Sequence, residues 1–286
     1  MTAQLLAAKP VVDHLLEQVR LRAVKLAESG TVPGLGTILV GDDGPSASYV
    51  KKKHETCAEV GIRSIHRDVS VDEGQVALMA AVDEFNASSD VDAFLIQHPV
   101  PEGFDFNEAL ARMDPTKDAD GLHPVNLGKL VLQQTGPVPC TPAGIVALLD
   151  HYEIETSGKN ICVIGRGPTL GRPLSLMLSQ RGTDGAVTVV HSRVDNISDY
   201  TLAADIVVGA VGIPGIVTPE MVKPGAVVIS GGITWEGRKL LPDVAEEVGE
   251  VASWITPRLG GVGPTTVAML LTNTVAAAEL RQPVSQ

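Results

Sequence analysis

Cysteine, positive charge and long apolar runs are all scarce in this chain, and each scarcity removes a class of function. The 286 residues hold three cysteines, Cys57, Cys140 and Cys162, with no framework spacing. A disulfide-built secreted scaffold is therefore excluded, and a reduced, cytoplasmic setting is expected. Lys and Arg total 22 against 34 Asp and Glu, a formal net charge of -12. That balance argues against a nucleic-acid partner or an anionic membrane surface, while leaving room for a local basic pocket. No apolar run approaches the length of a membrane span. The opening MTAQLLAAKPVVDHLLEQVRLR mixes charges into its apolar pattern, unlike a secretory leader. Internal repeats and low-complexity tracts are missing as well, and no metal is expected. What remains is 44% hydrophobic and 20% charged, an ordinary globular composition in a chain long enough for two domains.

Strand and helix patterns alternate along the first half. Val12, Leu15, Leu16 and Val19 fall at helical spacing. LGTILVG (35–41) reads as a short strand closed by glycine, and the lysine-rich segment after it as a helix. RSIHRDVS reads as a strand, VDEGQVALMAAVDEFNAS as a helix, and VDAFLIQ (91–97) as a buried strand. Such alternation predicts a parallel sheet with helices on its faces. MDPTKDADGLHPVNLGKLVLQQTGPVPCTP is rich in Gly, Pro, Asp and Asn, and reads as a long functional or linking loop. Thr141-Pro142 then starts a helix, with the threonine hydroxyl as its cap. Beyond it KNICVIG, AVTVVHS, ADIVVGAV and GAVVISG are four strands with the spacing of a doubly wound nucleotide fold. GPTTVAMLLTNTVAAAEL is a long apolar helix able to return to the first domain.

VIGRGPTLGRP places Gly165, Gly167 and Gly171 between a strand and a helix. A tight turn and close backbone approach to a phosphate both need glycine, and the helix start supplies amide donors. The spacing GxGxxxG is less specific than the common form, so a plain glycine turn stays open. An NAD site places a carboxylate near the end of the second strand. Here that strand ends in His191, Ser192 and Arg193, with no carboxylate before Asp195, and Arg166 lies in the glycine loop. Two guanidiniums and a hydroxyl predict a 2′-phosphate, hence NADP.

On a wheel turning about 100° per residue from Tyr49, Val50, Cys57, Ala58 and Val60 fill an apolar arc. Lys51, Lys52, Glu55 and Glu59 share the opposite, solvated face. Lys53 falls inside the apolar arc with His54. It either snorkels out along its stem or is held in a low-dielectric cleft, where a lysine moves protons near neutral pH. A packed, hydrogen-bonded role fits His54.

YVKKK, IQHPVPEG, KDADGLHPVNLGKL, CTPAGI, VIGRGPTLGRP, ADIVVGAVG, KPGAVVISGGI and GGVGPTTVAMLLTNT follow one another over nearly the whole chain. In that order they resemble the bifunctional methylenetetrahydrofolate dehydrogenase/methenyltetrahydrofolate cyclohydrolase family. The resemblance implies an α/β protein of two domains. Residues 1–139 with 266–286 would form the catalytic domain, and 140–265 a Rossmann-like NADP-binding domain, with the last helix returning to the first. It implies tetrahydrofolate derivatives as ligands, folate held between the domains, and a homodimer. NADP-dependent oxidation of 5,10-methylenetetrahydrofolate is implied, followed by hydrolysis to 10-formyltetrahydrofolate, a one-carbon step that serves purine biosynthesis. Lys53 becomes the catalytic lysine, with Gln97 beside it, Tyr49 against the aminobenzoyl portion and Asp120 on the pterin edge. Gly260, Gly261, Val262, Gly263 and Pro264 line the substrate cleft. Gly165, Arg166, Gly167, Gly171, Ser192, Arg193 and Ile233 take the cofactor. Taken alone, Asp120 reads more readily as a turn cap.

The chain departs from the family pattern in four places: His98 replaces leucine, Gly167 replaces serine, SGGI replaces DVGI, and PRLGGVGP replaces PVPGGVGP, where Arg258 adds a charge. His98 leaves open a monofunctional dehydrogenase with weak or absent hydrolysis. A shikimate-type dehydrogenase and a non-catalytic NADP-binding regulator are the more distant alternatives.

Overall fold

A computed structural model describes the backbone of residues 2–41, 44–237 and 239–282, and the side chains of the same residues apart from 44–49. The chain divides into two compact units, one of Met1–Asp13 with Pro139–Thr266, the other of His14–Val138 with Val267–Gln286.

In the second of these units three parallel strands run in the order Arg63–Val69, Gly34–Val40, Ala93–Ile96. The central strand is buried along its whole length, as a parallel strand covered on both faces must be. Its register with Ala93–Ile96 sets Leu35 opposite Ala93 and Ile38 opposite Ile96. The helix Gly74–Ala87 turns Leu78, Ala81, Val82 and Phe85 inward, onto Ile38, Val40, Phe94 and Leu110. Phe85 and Phe94 meet edge to face, with ring centroids 5.4 Å apart. Gly36 makes that possible, because a Cβ there would lie 2.8 Å from either side chain. The helix Ala8–Glu28 buries Val19, and the apolar helix Val262–Arg281 ends in this unit, as the sequence predicts.

The other unit holds six parallel strands in the order Gln4–Leu5, Trp254–Ile255, Val227–Ser230, Ile206–Gly209, Asn160–Ile164, Ala186–Val190. Asn160–Ile164 has the next strand in the chain on one side and the one after that on the other. The order therefore reverses there, which in open α/β sheets marks the ligand crevice at the strands' carboxyl ends. All four strands read from the sequence are present.

Several elements were not legible. Gln4–Leu5 and Trp254–Ile255 pair with each other, so residues 1–13 join this unit, although the sequence division grouped them with residues 14–139. An antiparallel hairpin, Ile233–Glu236 with Lys239–Pro242, follows the fourth strand. The long middle loop contains the helix Pro124–Val131. Thr141 is not the cap of its helix: Cys140–His151 starts after Pro139 with no side-chain cap, and the Thr141 hydroxyl shares a 3.2 Å hydrogen bond with that of Thr266.

Candidate active site

The helix Gly44–Val60 separates its lysines as the wheel requires. Lys51 and Lys52 are exposed, whereas Lys53 is 5% exposed. The Lys53 Nζ donates to Gln97 Oε1 at 3.0 Å, so the lysine is held rather than snorkelling out. Gln97 is itself buried, and its backbone N–H donates to Ile38 O at 2.8 Å, just past the carboxyl end of the Ala93–Ile96 strand. Its Nε2 donates to His98 O at 2.9 Å, which fixes the amide with its oxygen toward the lysine. Tyr49 lies on the same helix, but its side chain is outside the described residues.

Two neighbours of Lys53 on its own helix, His54 and Cys57, are shifted toward their neutral forms. His54 bonds Ser64 through Nδ1, and burial, then His66 and Lys53, hold its pKa below the ordinary value. Burial pushes the Cys57 thiol up to about 12, so it is no thiolate. Val50, Cys57 and Val60 are buried as the wheel has them, while Ala58 is exposed.

KDADG is stitched beside the Gln97 strand. Ala119 N–H donates to Phe94 O at 3.0 Å, and Asn273 Nδ2 donates to Ala119 O at 3.0 Å. Lys117, 7% exposed, donates to Phe85 O and Ser88 O at 2.9 and 2.7 Å, where the helix Gly74–Ala87 leaves its last carbonyls unpaired. Asp118, 2% exposed, accepts from Gly121 N, His123 N and Asn126 Nδ2 at 2.8–2.9 Å. Asp120 is half-buried and close enough to raise the His98 pKa, against a larger lowering by burial of that ring. His98 also packs on Phe106, with centroids 5.0 Å apart. Lys53, Gln97, His98 and Asp120 thus share one end of this sheet. Sequence reasoning missed Lys117, Asp118, Asn126 and Asn273; the KDADG and LLTNT motifs carried the signal for three of them.

The glycine loop lies at the carboxyl end of Asn160–Ile164. Gly165 has φ +124°, and a Cβ there would meet Ala210 O at 2.4 Å; at Gly171 a Cβ would meet Gly165 O at 2.3 Å. Only glycine fits either position, and the turn presents its backbone ahead of the helix Gly171–Ser179. Gly167 has open space around its Cβ direction. Arg166, Ser192 and Arg193 are exposed, and no ion pair among the described residues engages either arginine. Ile233, at the start of the hairpin, is 46% exposed. A backbone that phosphate can approach, with two open guanidiniums beside it, fits a phosphorylated dinucleotide.

Gly260–Pro264, expected from the resemblance to line the substrate cleft, lie in the same unit as the glycine loop. Gly260 has φ +75° and accepts from Ala8 N–H at 2.8 Å, and Val262 is buried. The charge of Arg258 is answered by Glu246, at 3.2 Å. Gly231 and Gly232 of SGGI are enforced by packing, since a Cβ would meet Leu170 at 2.8 Å or the Asp243 carboxylate at 2.2 Å.

Two family models match the chain: tetrahydrofolate dehydrogenase/cyclohydrolase, catalytic domain, over residues 6–120, and its NAD(P)-binding domain over residues 139–282. The bifunctional protein FolD of Syntrophotalea carbinolica is 66% identical over 283 residues, covering 98% of each chain. The FolD crystal structure from Campylobacter jejuni superposes with a TM-score of 0.93 at 38% identity, covering 98% of this chain and 100% of that one. The Trypanosoma brucei methylenetetrahydrofolate dehydrogenase-cyclohydrolase, solved with NADP and an inhibitor, gives a TM-score of 0.92 at 34% identity, covering 99% and 100%. Matched in both domains and along almost its whole length, the chain belongs to the tetrahydrofolate dehydrogenase/cyclohydrolase family.

Proposed function

We propose that the protein oxidises 5,10-methylenetetrahydrofolate with NADP and hydrolyses the methenyl product to 10-formyltetrahydrofolate, with Lys53 moving the protons of the hydrolysis. The buried hydrogen bond between Lys53 and Gln97 carries this reading. When bound, NADP supplies the hydride acceptor. The protein's own task in that step is alignment: Tyr49 and Asp120 on the folate, with Gly260, Gly261, Val262, Gly263 and Pro264 lining its cleft. In the hydrolysis, water adds to the methenyl carbon, and Lys53 Nζ takes a proton from it while the Gln97 amide keeps the amine in place. The bond from that carbon to N5 then breaks, N5 receives a proton, the formyl group stays on N10, and one proton leaves to solvent. The unit of His14–Val138 with Val267–Gln286 acts as the catalytic domain, and the unit of Pro139–Thr266 with Met1–Asp13 as the NADP-binding domain.

Incubation with 5,10-methylenetetrahydrofolate and NADP is expected to yield 10-formyltetrahydrofolate without build-up of the methenyl compound. Its accumulation would instead favour the monofunctional reading, for which His98 beside Asp120 is the motive.

Gly165, Arg166, Gly167, Gly171, Ser192, Arg193 and Ile233 hold the cofactor. Arg193→Ala is expected to weaken NADP by roughly 1.5–3 kcal/mol and spare NAD, because a charge-assisted contact to the 2′-phosphate is lost. Equal Michaelis constants of the unmodified enzyme for the two cofactors would contradict this. Gly167→Ser meets open space and adds a hydroxyl where the loop has none, so NADP should bind tighter by about 1 kcal/mol with no change in melting temperature. Calorimetric titration of both variants checks the pair.

A homodimer is consistent with the edge strand Ala186–Val190, which leaves most of its residues exposed or half-exposed in this chain, and sedimentation would test it. A cytoplasmic setting fits the three buried cysteines, none of them in a disulfide, and the proposed product would supply one-carbon units to purine biosynthesis. Among the described residues no helix is long and apolar enough to cross a membrane.

A further inference from the structure

The loop after Ile206–Gly209 stands at the carboxyl edge of the six-stranded sheet, beside the point where the strand order reverses. Directly beneath it lies Asp243, 0% exposed. Its Oδ2 accepts from Val211 N–H at 2.8 Å and Gly212 N–H at 3.2 Å, and the Ile213 N–H lies close enough to favour the charged form of the carboxyl. Oδ1 is buried with no hydrogen-bond partner among the described residues. The packing around it leaves no slack, since a Cβ at Gly209 would lie 2.7 Å from the Asp243 Cβ. No ion pair among the described residues involves Asp243.

Tying a loop needs only an acceptor, and a neutral amide would serve. Burying a carboxylate for that purpose carries a large desolvation cost unless its charge has a use. Burial raises the Asp243 pKa and the three backbone donors work against that rise. Above the carboxylate, Val211, Ile213 and Ile233 are 36%, 52% and 46% exposed. Val211 and Ile213 belong to the tied loop and Ile233 to the hairpin whose next residue, Thr234, donates to Gly212 O, and Ile233 is among the residues read as cofactor contacts.

We infer that Asp243 sets the preference of this site for the redox form of the cofactor, its buried negative charge favouring the oxidised, cationic nicotinamide over the neutral reduced ring. The inference rests on reading this sheet edge as the dinucleotide site. Asp243 itself is fully buried, so its charge is screened less than that of a surface carboxylate. The two forms carry the same phosphates, so the arginine and glycine-loop contacts cancel from the ratio of their affinities. That ratio isolates the charge on the ring.

Dissociation constants for NADP+ and NADPH, measured by calorimetry on the full chain, test it. Asp243→Asn keeps the size and one acceptor oxygen while removing the charge. It is expected to weaken NADP+ by about tenfold and to leave NADPH within about twofold, given a partly screened charge. Thr234→Val is the control. It removes the hydroxyl that donates to Gly212 O in the same loop and leaves the charge, so both forms should weaken alike. Should Asp243→Asn prove too unstable for titration, the rise in melting temperature with each ligand reads the same ratio, because binding to the native state raises stability by mass action. A ratio unchanged by Asp243→Asn, whether both constants move together or neither moves, overturns the inference. If the unmodified protein bound neither form, the cofactor reading itself would fail, which is a different result.

Discussion

Lys53→Met is expected to lower cyclohydrolase activity by about 10²–10⁴-fold, the usual contribution of a positioned proton-transfer group. Methionine nearly matches the lysine stem in shape and occupies the same buried site. The amine is lost, along with its 3.0 Å bond to Gln97 Oε1. An unsatisfied buried acceptor costs about 1–3 kcal/mol, but the cost of burying the polar amine disappears in the same change, so the fold and NADP binding should survive. Lys51→Met and Lys52→Met alter exposed side chains of the same triplet and should stay within about 0.5 kcal/mol of the unmodified stability, with activity intact. Three variants behaving alike would mean that burial, the property separating Lys53 from its neighbours, has no bearing on the chemistry.

The two aspartates of KDADG should fail in opposite ways. Asp118 accepts three internal hydrogen bonds at 2% exposure, and alanine there strands all three donors. With roughly 1–3 kcal/mol for each buried unsatisfied group, Asp118→Ala should cost about 3 kcal/mol or more of stability. Asp120 is half-buried and two residues further on. Asp120→Ala should leave the melting temperature nearly unchanged and weaken folate binding by roughly 1.5–3 kcal/mol, the value of a charge-assisted hydrogen bond, with NADP affinity unaffected. Denaturant unfolding and folate calorimetry on both variants separate the roles. An unchanged folate dissociation constant for Asp120→Ala would return that residue to a turn cap.

Legibility followed the range of the interactions. Lys53 could be singled out because helical periodicity is local: seventeen residues of one helix contain both faces, and the odd lysine shows against them. Ala58 fell at the edge of the predicted arc and is exposed, since a wheel knows the angle of a residue and not the width of what packs on it. Asp118 and Asp120 are the same residue type, two apart, in a glycine-flanked loop. Only the donors converging on Asp118, from Gly121 to Asn126, tell the buried anchor from the more open carboxylate. Gln4–Leu5 is too short to show alternation, and its partner Trp254–Ile255 stands some 250 residues away. Thr141 carries every local sign of a cap, yet a long-range partner, Thr266, takes its hydroxyl. Asp243 sits in KLLPDVAEE, which resembles no site, because the amides that surround it come from residues 211–213.

The central claim is that one chain performs both reactions and that Lys53 drives the second. The most direct measurement supplies methenyltetrahydrofolate itself, with no NADP present, and follows its hydrolysis by the unmodified protein and by Lys53→Met. The account predicts hydrolysis well above the uncatalysed rate for the unmodified protein and a rate close to the uncatalysed one for the variant. Equal rates for the two proteins, whether fast or at the uncatalysed level, would contradict it.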